Sequence, residues 1–336
     1  MAQAANTYET YDAVGNREEL ADKIWMQTPE ETPFMSLIGR KSVASVHPEW
    51  QTDTLASPDT SNNRAEGQTF VISAVTPTTR VGNYCQISSK TLSVTRTQDN
   101  TSKAGRRMEL AREVSKRSKE LKIDMEVILM SNQASSAGSG NGATNRTAGG
   151  FRAWIATNDD LGSGGASGGF NSGTGVVDAA TNGTQRAFTK AILDAVILAT
   201  YNAGGNPSTM MVSPYVKTVF SAIMDDANVA PFRYNAKSSG KNTIIAAADF
   251  YLSDFGEIAV VPNRQMARAG ATVARNGLLI DPSMASVGIF DDIELIKLAK
   301  TSDSEERALV CEYTLLVNNE AAHGVAADLY GLTSGS

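Results

Sequence analysis

Between Lys103 and Gln133 the chain carries its clearest local signal. Met108, Ala111, Val114, Ser118, Leu121, Met125 and Ile128 recur at three- and four-residue steps and lay one mostly apolar stripe along a helix. The other faces carry Arg106, Arg107, Glu113, Lys116, Arg117, Lys119 and Glu120, with Glu113/Arg117 and Lys116/Glu120 as opposite charges four residues apart. The fold has to accommodate this long, amphipathic, charge-backed helix. Eight Lys or Arg from Lys103 to Lys122 raise the question of nucleic-acid contact, but five acids are interleaved from Glu109 to Glu126. That mixture favours a solvated, salt-bridged face.

The segments before this helix bury little by themselves. Residues 1–45 hold a short helical pattern from Asn16 to Met26, broken by Pro29-Glu-Glu-Thr-Pro33 and followed by the apolar patch Phe34, Leu37 and Ile38. Such an arm suits docking on another surface. Residues 46–100 read as extended chain, with strands over Gln68–Ala74 and Val81–Thr97 and polar turn material from Ser57 to Gly67. They predict a hairpin projecting from its own domain, which is marginal in water without support. After the helix, residues 134–183 hold thirteen of the 28 glycines, with Phe151-Arg-Ala-Trp154-Ile155 as an apolar island. Composition alone makes this a linker or a large surface loop.

From Thr184 the pattern becomes mixed α/β. A helix is predicted over Thr184–Tyr201 and ends at Gly204-Gly205; a strand follows at Thr209–Ser213, and Pro214 opens a helix to Met224. Further strands are predicted at Thr243–Ser253, Ile258–Pro262 and Gly277–Ile280, and a hairpin pairs Ile293–Lys300 with Arg307–Val317 around Thr301–Glu306. In its second arm Leu309, Cys311, Tyr313, Leu315 and Val317 alternate cleanly.

Composition and chemistry narrow the function by exclusion. The chain has 336 residues, 41% of them hydrophobic and 20% charged, so a core is affordable. A net charge of −6 argues against a broad nucleic-acid-gripping surface and is neutral for a protein that merely encloses nucleic acid. Cys85 and Cys311 match no metal or redox spacing and read as reduced, partly buried thiols. The N-terminus lacks the charged and apolar regions of a signal peptide, and no apolar run is long enough to span a bilayer. His47 and His323 are the only histidines, and His47 beside Pro48 and Trp50 reads as a packed loop residue. Gly138-x-Gly140-x-x-Ala143 follows a helix inside a glycine-saturated tract, so it is no dinucleotide fingerprint. Gly240-Lys241-Asn242 lacks the rest of a phosphate loop, and Asp159-Asp160, Asp225-Asp226 and Asp291-Asp292 lack calcium-loop spacing. The reading is a non-enzyme with no cofactor and no metal.

Particular stretches resemble a known family. Thr10-Tyr-Asp-Ala-Val-Gly-Asn-Arg-Glu-Glu-Leu-Ala-Asp22, Thr32-Pro-Phe34, Glu49-Trp-Gln-Thr-Asp53, Arg80-Val-Gly-Asn-Tyr84 and Ile87-Ser-Ser-Lys90 are similar to tailed-phage major capsid proteins with a short N-terminal arm and no fused scaffold. The resemblance runs from about residue 8 to 331, its N-terminal third being the specific part, and leaves the glycine-rich tract unplaced. It implies an α+β Hong Kong 97-type capsid fold with an N-arm, an extended β-hairpin loop, a long spine helix, and peripheral and axial domains. The implied division is 1–45 arm, 46–102 extended loop and flanking strands, and 103–183 peripheral domain with spine helix and glycine-rich insertion. Residues 184–276 follow as axial domain, and 277–336 as a return to the peripheral sheet.

The implied function is a structural subunit of an icosahedral head that encloses double-stranded DNA without sequence-specific binding. Implied partners are copies of the same chain in hexamers and pentamers, a separate scaffolding protein and a portal, with the glycine-rich insertion facing either neighbouring subunits or a decoration protein. No membrane is involved, and assembly takes place in the host cytoplasm. The fold's type member cross-links its subunits through a loop lysine; no lysine stands between Lys41 and Lys90, so no covalent cross-linking is expected, and no large N-terminal cleavage either. Trp50, Phe70, Tyr84, Arg106 and Arg117 are the residues expected to touch neighbouring subunits. An encapsulin-type compartment shares the fold and is the alternative; a secreted adhesion protein and a hydrolase are remote.

Overall fold

The computed structural model describes residues 26–70, 72–223, 249–300 and 302–333, together with Val14 and Ile24. The expected arm helix (apart from Ile24 and Met26), Asp225-Asp226, Gly240-Lys241-Asn242 and the first part of the strand expected from Thr243 lie outside the described residues. The chain runs α1 (Pro33–Ile38), β1 (Arg40–Ser42), β2 (Glu49–Thr52), β3 (Thr79–Gly82), β4 (Gln86–Thr95), α2 (Arg96–Asn100) and α3 (Glu109–Met130). It continues through α4 (Phe151–Trp154), β5 (Asp159–Asp160), β6 (Gly169–Asn171), β7 (Val176–Asp178), α5 (Lys190–Asn202), β8 (Thr209–Val212) and α6 (Pro214–Ile223). Then come β9 (Phe250–Ser253), β10 (Gly256–Pro262), α7 (Arg264–Arg268), α8 (Ala271–Ala274), β11 (Gly277–Ile280), β12 (Ala285–Lys297), β13 (Ser304–Val317) and β14 (Gly324–Ala326).

Two sheets organise these elements: β1-β12-β13-β4, and β5-β14-β11-β8-β10-β9. The strands of the second sheet's centre, β8 and β11, are buried along their whole length. Because strand side chains alternate between faces, they feed two cores at once. Met211, Leu278, Ile280 and Val325 join α3 and the inner face of β13, whereas Met210, Val212, Leu279 and Ala326 pack with Leu193 and Val196 of α5 and Val216 and Phe220 of α6. Leu309, Cys311, Tyr313, Leu315 and Val317 all point into the first core, as their alternation predicts. Of residues 277–336, β12 and β13 enter the four-stranded sheet, while β11 and β14 enter the six-stranded one.

The long helix starts later than its pattern suggests. Gly105 sits at φ +75°, outside the right-handed helical region, and Asp99 Oδ1 accepts hydrogen bonds from the Glu109 (3.0 Å) and Leu110 (3.4 Å) amides, supplying the cap that Met108 cannot. Its buried face is Leu121, Met125, Glu126, Leu129 and Met130, so only the second half of the expected stripe becomes core and Met108 is exposed. The expected four-apart ion pairs give way to three-apart pairs, Arg106–Glu109, Arg112–Glu109 and Arg117–Glu120.

Glu126 ties the arm to this helix. It is fully buried, yet its Oε1 accepts from the Phe34 amide (2.7 Å) and Asn263 Nδ2 (2.8 Å), and its Oε2 from the Met35 amide (2.9 Å). Burial pushes the carboxyl above its usual range, against the opposing pull of these three donors. Asn263 Oδ1 in turn accepts from the Gln265 amide, and Gln265 Nε2 donates to the Pro29 and Glu31 carbonyls. Phe34, Met35 and Ile38 then enter the core.

Three expectations are corrected here. Residues 53–78 contain no described strand, so the strand expected over Gln68–Ala74 does not form within the chain. The helix expected from Thr184 begins at Lys190, because Arg186 and Phe188 donate instead to the carbonyls of Asp328 and Gly331. The glycine-rich tract is a surface loop only in part, at residues 139–145 and 171–174. Phe151, Arg152, Ala153, Trp154 and Ile155 are buried, and β6 and β7 form a small hairpin. Some of its glycines answer close backbone approach: a Cβ on Gly150 would stand 2.1 Å from the Ser131 carbonyl oxygen, and one on Gly162 the same distance from that of Thr184. The buried Arg152 guanidinium is held below its usual range by desolvation, with Asp159 and Asp328 opposing.

Two predictions follow from this packing. Gly150→Ala destabilises the fold by about 3 kcal/mol, as overpacking does. Gly140→Ala, where no neighbour lies within 4 Å, changes it by less than about 0.5 kcal/mol. Denaturant midpoints of the two variants check this. The second concerns His323, fully buried and accepting the Asp281 amide at Nδ1, whose pKa burial lowers from 6.5 to about 4. The unfolded chain binds the proton first, so stability present above pH 6.5 is lost as pH falls towards 4, by about 3 kcal/mol at most. His323→Gln flattens that part of a stability–pH curve.

Candidate inter-subunit surfaces

The loop between β2 and β3 is a long segment that the described residues of the chain do not bury. Its base is firm: Glu49–Thr52 pairs antiparallel with Thr79–Gly82, and Arg80 Nε lies 3.3 Å from Glu49 Oε1. Beyond Thr52, Leu55 (99%), Phe70 (83%), Ile72 (95%) and Val75 (92%) are exposed. Solvent-exposed apolar side chains concentrated on one projecting segment mark an interaction surface.

The five residues expected at subunit contacts do not come together. Trp50 stacks on Trp154 at 5.6 Å, and Trp154 stacks on Phe170 at 6.0 Å, which places Trp50 in an aromatic column inside its own chain. Tyr84 stacks on His47 at 4.0 Å. His47 is thus the packed loop residue its sequence context suggests, with burial lowering its pKa. Arg106, just before α3, pairs with Glu109 of its first turn, and Arg117 pairs with Glu120 at 2.7 Å along the same helix. Phe70 alone of the five stands free on the loop.

Sequence reasoning passed over Glu126, Asn263 and Gln265, which anchor residues 29–35. A carboxylate next to Met125 on the apolar face was the only available signal. A second exposed apolar cluster lies on the six-stranded sheet's edge, where Phe250 and Leu252 face solvent and Tyr201 meets Phe255 at 4.7 Å.

Little here is arranged for chemistry. Burial pushes the Cys85 thiol up to about 11 and the Cys311 thiol up to about 12, so neither supplies a thiolate nucleophile near neutral pH. Among the described residues no group of three or more His, Cys, Asp or Glu could hold a metal ion, and no helix is long and apolar enough to cross a membrane.

Comparison with known proteins finds capsid proteins. The major capsid protein of Escherichia phage Phieco32 is 37% identical over 127 residues, 38% of this chain and 36% of that protein, so the match spans little more than a third of the relative. Among solved structures, a Mycobacterium phage Adephagia chain superposes with a TM-score of 0.61 at 11% identity, covering 96% of this chain and 98% of the other. The capsid of a native GTA particle gives 0.60 at 10% identity, covering 96% and 98%. The holo-encapsulin complex of Synechococcus elongatus gives 0.56 at 8% identity, covering 96% and 95%. At these identities the structural matches establish the fold, a Hong Kong 97-type capsid fold. The family model described as SU10 major capsid protein matches residues 4–330, and the chain belongs to that family.

Proposed function

We propose that the chain is the shell subunit of a tailed-phage head, assembling with copies of itself into hexamers and pentamers around packaged double-stranded DNA. The observation that carries this reading is the projecting loop with Leu55, Phe70, Ile72 and Val75 exposed, on a chain whose family membership spans residues 4–330. Burying four such side chains on a neighbour is worth about 8 kcal/mol gross, before the cost of ordering the loop. Repeated around a closed shell, modest contacts of this kind suffice.

In this reading residues 1–45 are the arm, 46–102 the extended loop, 103–183 the peripheral domain with α3 as its spine, 184–276 the axial domain and 277–336 the return to the peripheral sheet. A separate scaffolding protein and a portal direct assembly in the host cytoplasm, and a decoration protein binds outside the shell. The encapsulin likeness is one of fold, and the family match favours the phage head.

The test is assembly. The full chain, produced with the other head proteins, forms closed particles in negative stain. Replacing residues 54–77 by a short Gly-Ser turn leaves a folded chain of unchanged circular dichroism and abolishes particles. Closed particles from the loop-deleted chain would contradict the reading. Because no lysine stands between Lys41 and Lys90, boiled and reduced particles run as a single band at monomer size. A ladder of multiples would overturn that expectation.

A further inference from the structure

Residues 68–76 (QTFVISAVT) are rich in β-branched and aromatic side chains, yet they pair with nothing in their own chain among the described residues. The cause lies in the opposing arm. Continuing the register Thr52↔Thr79 outward would set residues 53–61 against 70–78. That arm offers Asp53, Ser57, Pro58 and Asp59, and Pro77 interrupts the other side without an amide to donate. The hairpin therefore stops at its base, and a strand-prone segment is left single.

A matching vacancy in hydrogen bonding exists elsewhere on the molecule. β4 is the last strand of its sheet and pairs with β13 from Gln86 to Thr95, leaving its other edge without a strand among the described residues. This edge is ten residues long and contains no proline, and its only charge, Lys90, is paired with Asp124 at 2.6 Å. It carries neither a proline nor an unpaired charge to protect it. Alongside it runs a groove of about 430 Å³ lined by Ser88, Ser89, Ile123, Val127, Ile128 and Arg268, among others.

Building on the reading that the loop reaches another copy, we propose that residues 68–76 of one subunit add as a strand to the β4 edge of a second subunit. Strand addition satisfies both sets of backbone groups, and alternate side chains enter pockets. Phe70 and Ile72 fall on one side of such a strand and meet Ile123, Val127 and Ile128. Charge agrees with this placement. Residues 68–76 carry no charge, and Lys90 and Asp124 neutralise each other. Arg268, exposed in the groove wall, has no carboxylate partner among the described residues, and Glu66, two residues before the segment, has no cation. Bringing Glu66 to Arg268 at the Ser88–Ser89 end makes the added strand parallel to β4.

Two copies of the chain, one carrying Ser73→Cys and the other Ser93→Cys or Thr91→Cys, are co-produced with the remaining head proteins and oxidised as purified particles. The native cysteines are buried and do not compete. The result expected is a heterodimer band from particles and none from the unassembled mixture. Particles in which Ser73→Cys pairs instead with a control cysteine at Leu198→Cys would overturn the strand addition while leaving the shell reading intact; wild-type chain that forms no particles would overturn both. Where the cysteine variants fail to assemble, charge reversal decides. Glu66→Arg and Arg268→Glu each slow particle formation at least tenfold, and the two together restore it; a double variant no better than either single one overturns the pairing.

Discussion

The carboxylate of Glu126 is the interaction on which the rest of the structure depends. A buried charge is tolerable only when its hydrogen-bonding capacity is met. Here the first amides of α1 and the Asn263 side chain meet it, so the helix that underlies the four-stranded sheet also holds the start of the arm. Charge-assisted bonds of this kind are worth about 1.5–3 kcal/mol each, and losing one partner costs the desolvation of the rest. Through Phe34, Met35 and Ile38 this stretch is thereby anchored in the core and is not a free strap. In the proposed shell, the apolar surface offered to neighbours lies chiefly in the loop beyond Thr52.

The two-faced sheet is the second constraint. With β8 and β11 buried on both sides, the cores built by α3 and by α5 and α6 share a wall, and the two regions are packed as one body around it. The glycine-rich tract lies against that body and is stitched to it. Asn83 accepts from the Gly149 amide and donates to the Gly149 and Leu315 carbonyls, and Asp328 accepts from the Gly162 and Gly183 amides. Glycines such as Gly150, Gly162, Gly168 and Gly183 are needed where backbones meet, a role that composition alone does not distinguish from that of a linker.

Periodicity revealed the elements whose pattern reflects one buried face. The second half of α3, the alternation of β13, and the strand and helix around Pro214 were legible for this reason. The start of α3 was not, because a cap from Asp99, ten residues upstream, overrides local propensity. The strand at Gln68–Ala74 was legible as a preference and false as a structure within one chain, since a strand needs a partner edge that propensity does not supply. Of the surface nominees, Phe70 was right about exposure, whereas Trp50 and Tyr84 found aromatic partners brought from distant sequence. Glu126 and Gln265 lie 91 or more residues from the arm amides and carbonyls they hold, Asn263 lies 137 residues from the Glu126 carboxyl it braces, and no local pattern announces such contacts.

Hydrogen exchange of the free chain against assembled particles tests the central claim most directly. Amides of residues 33–38 and of the second half of α3 are expected to be protected equally in both states. Those of residues 54–76 exchange freely in the free chain and become protected only in particles. A loop already protected in the free chain, or still exchanging freely in particles, would contradict the division between what the chain buries itself and what it leaves to its neighbours.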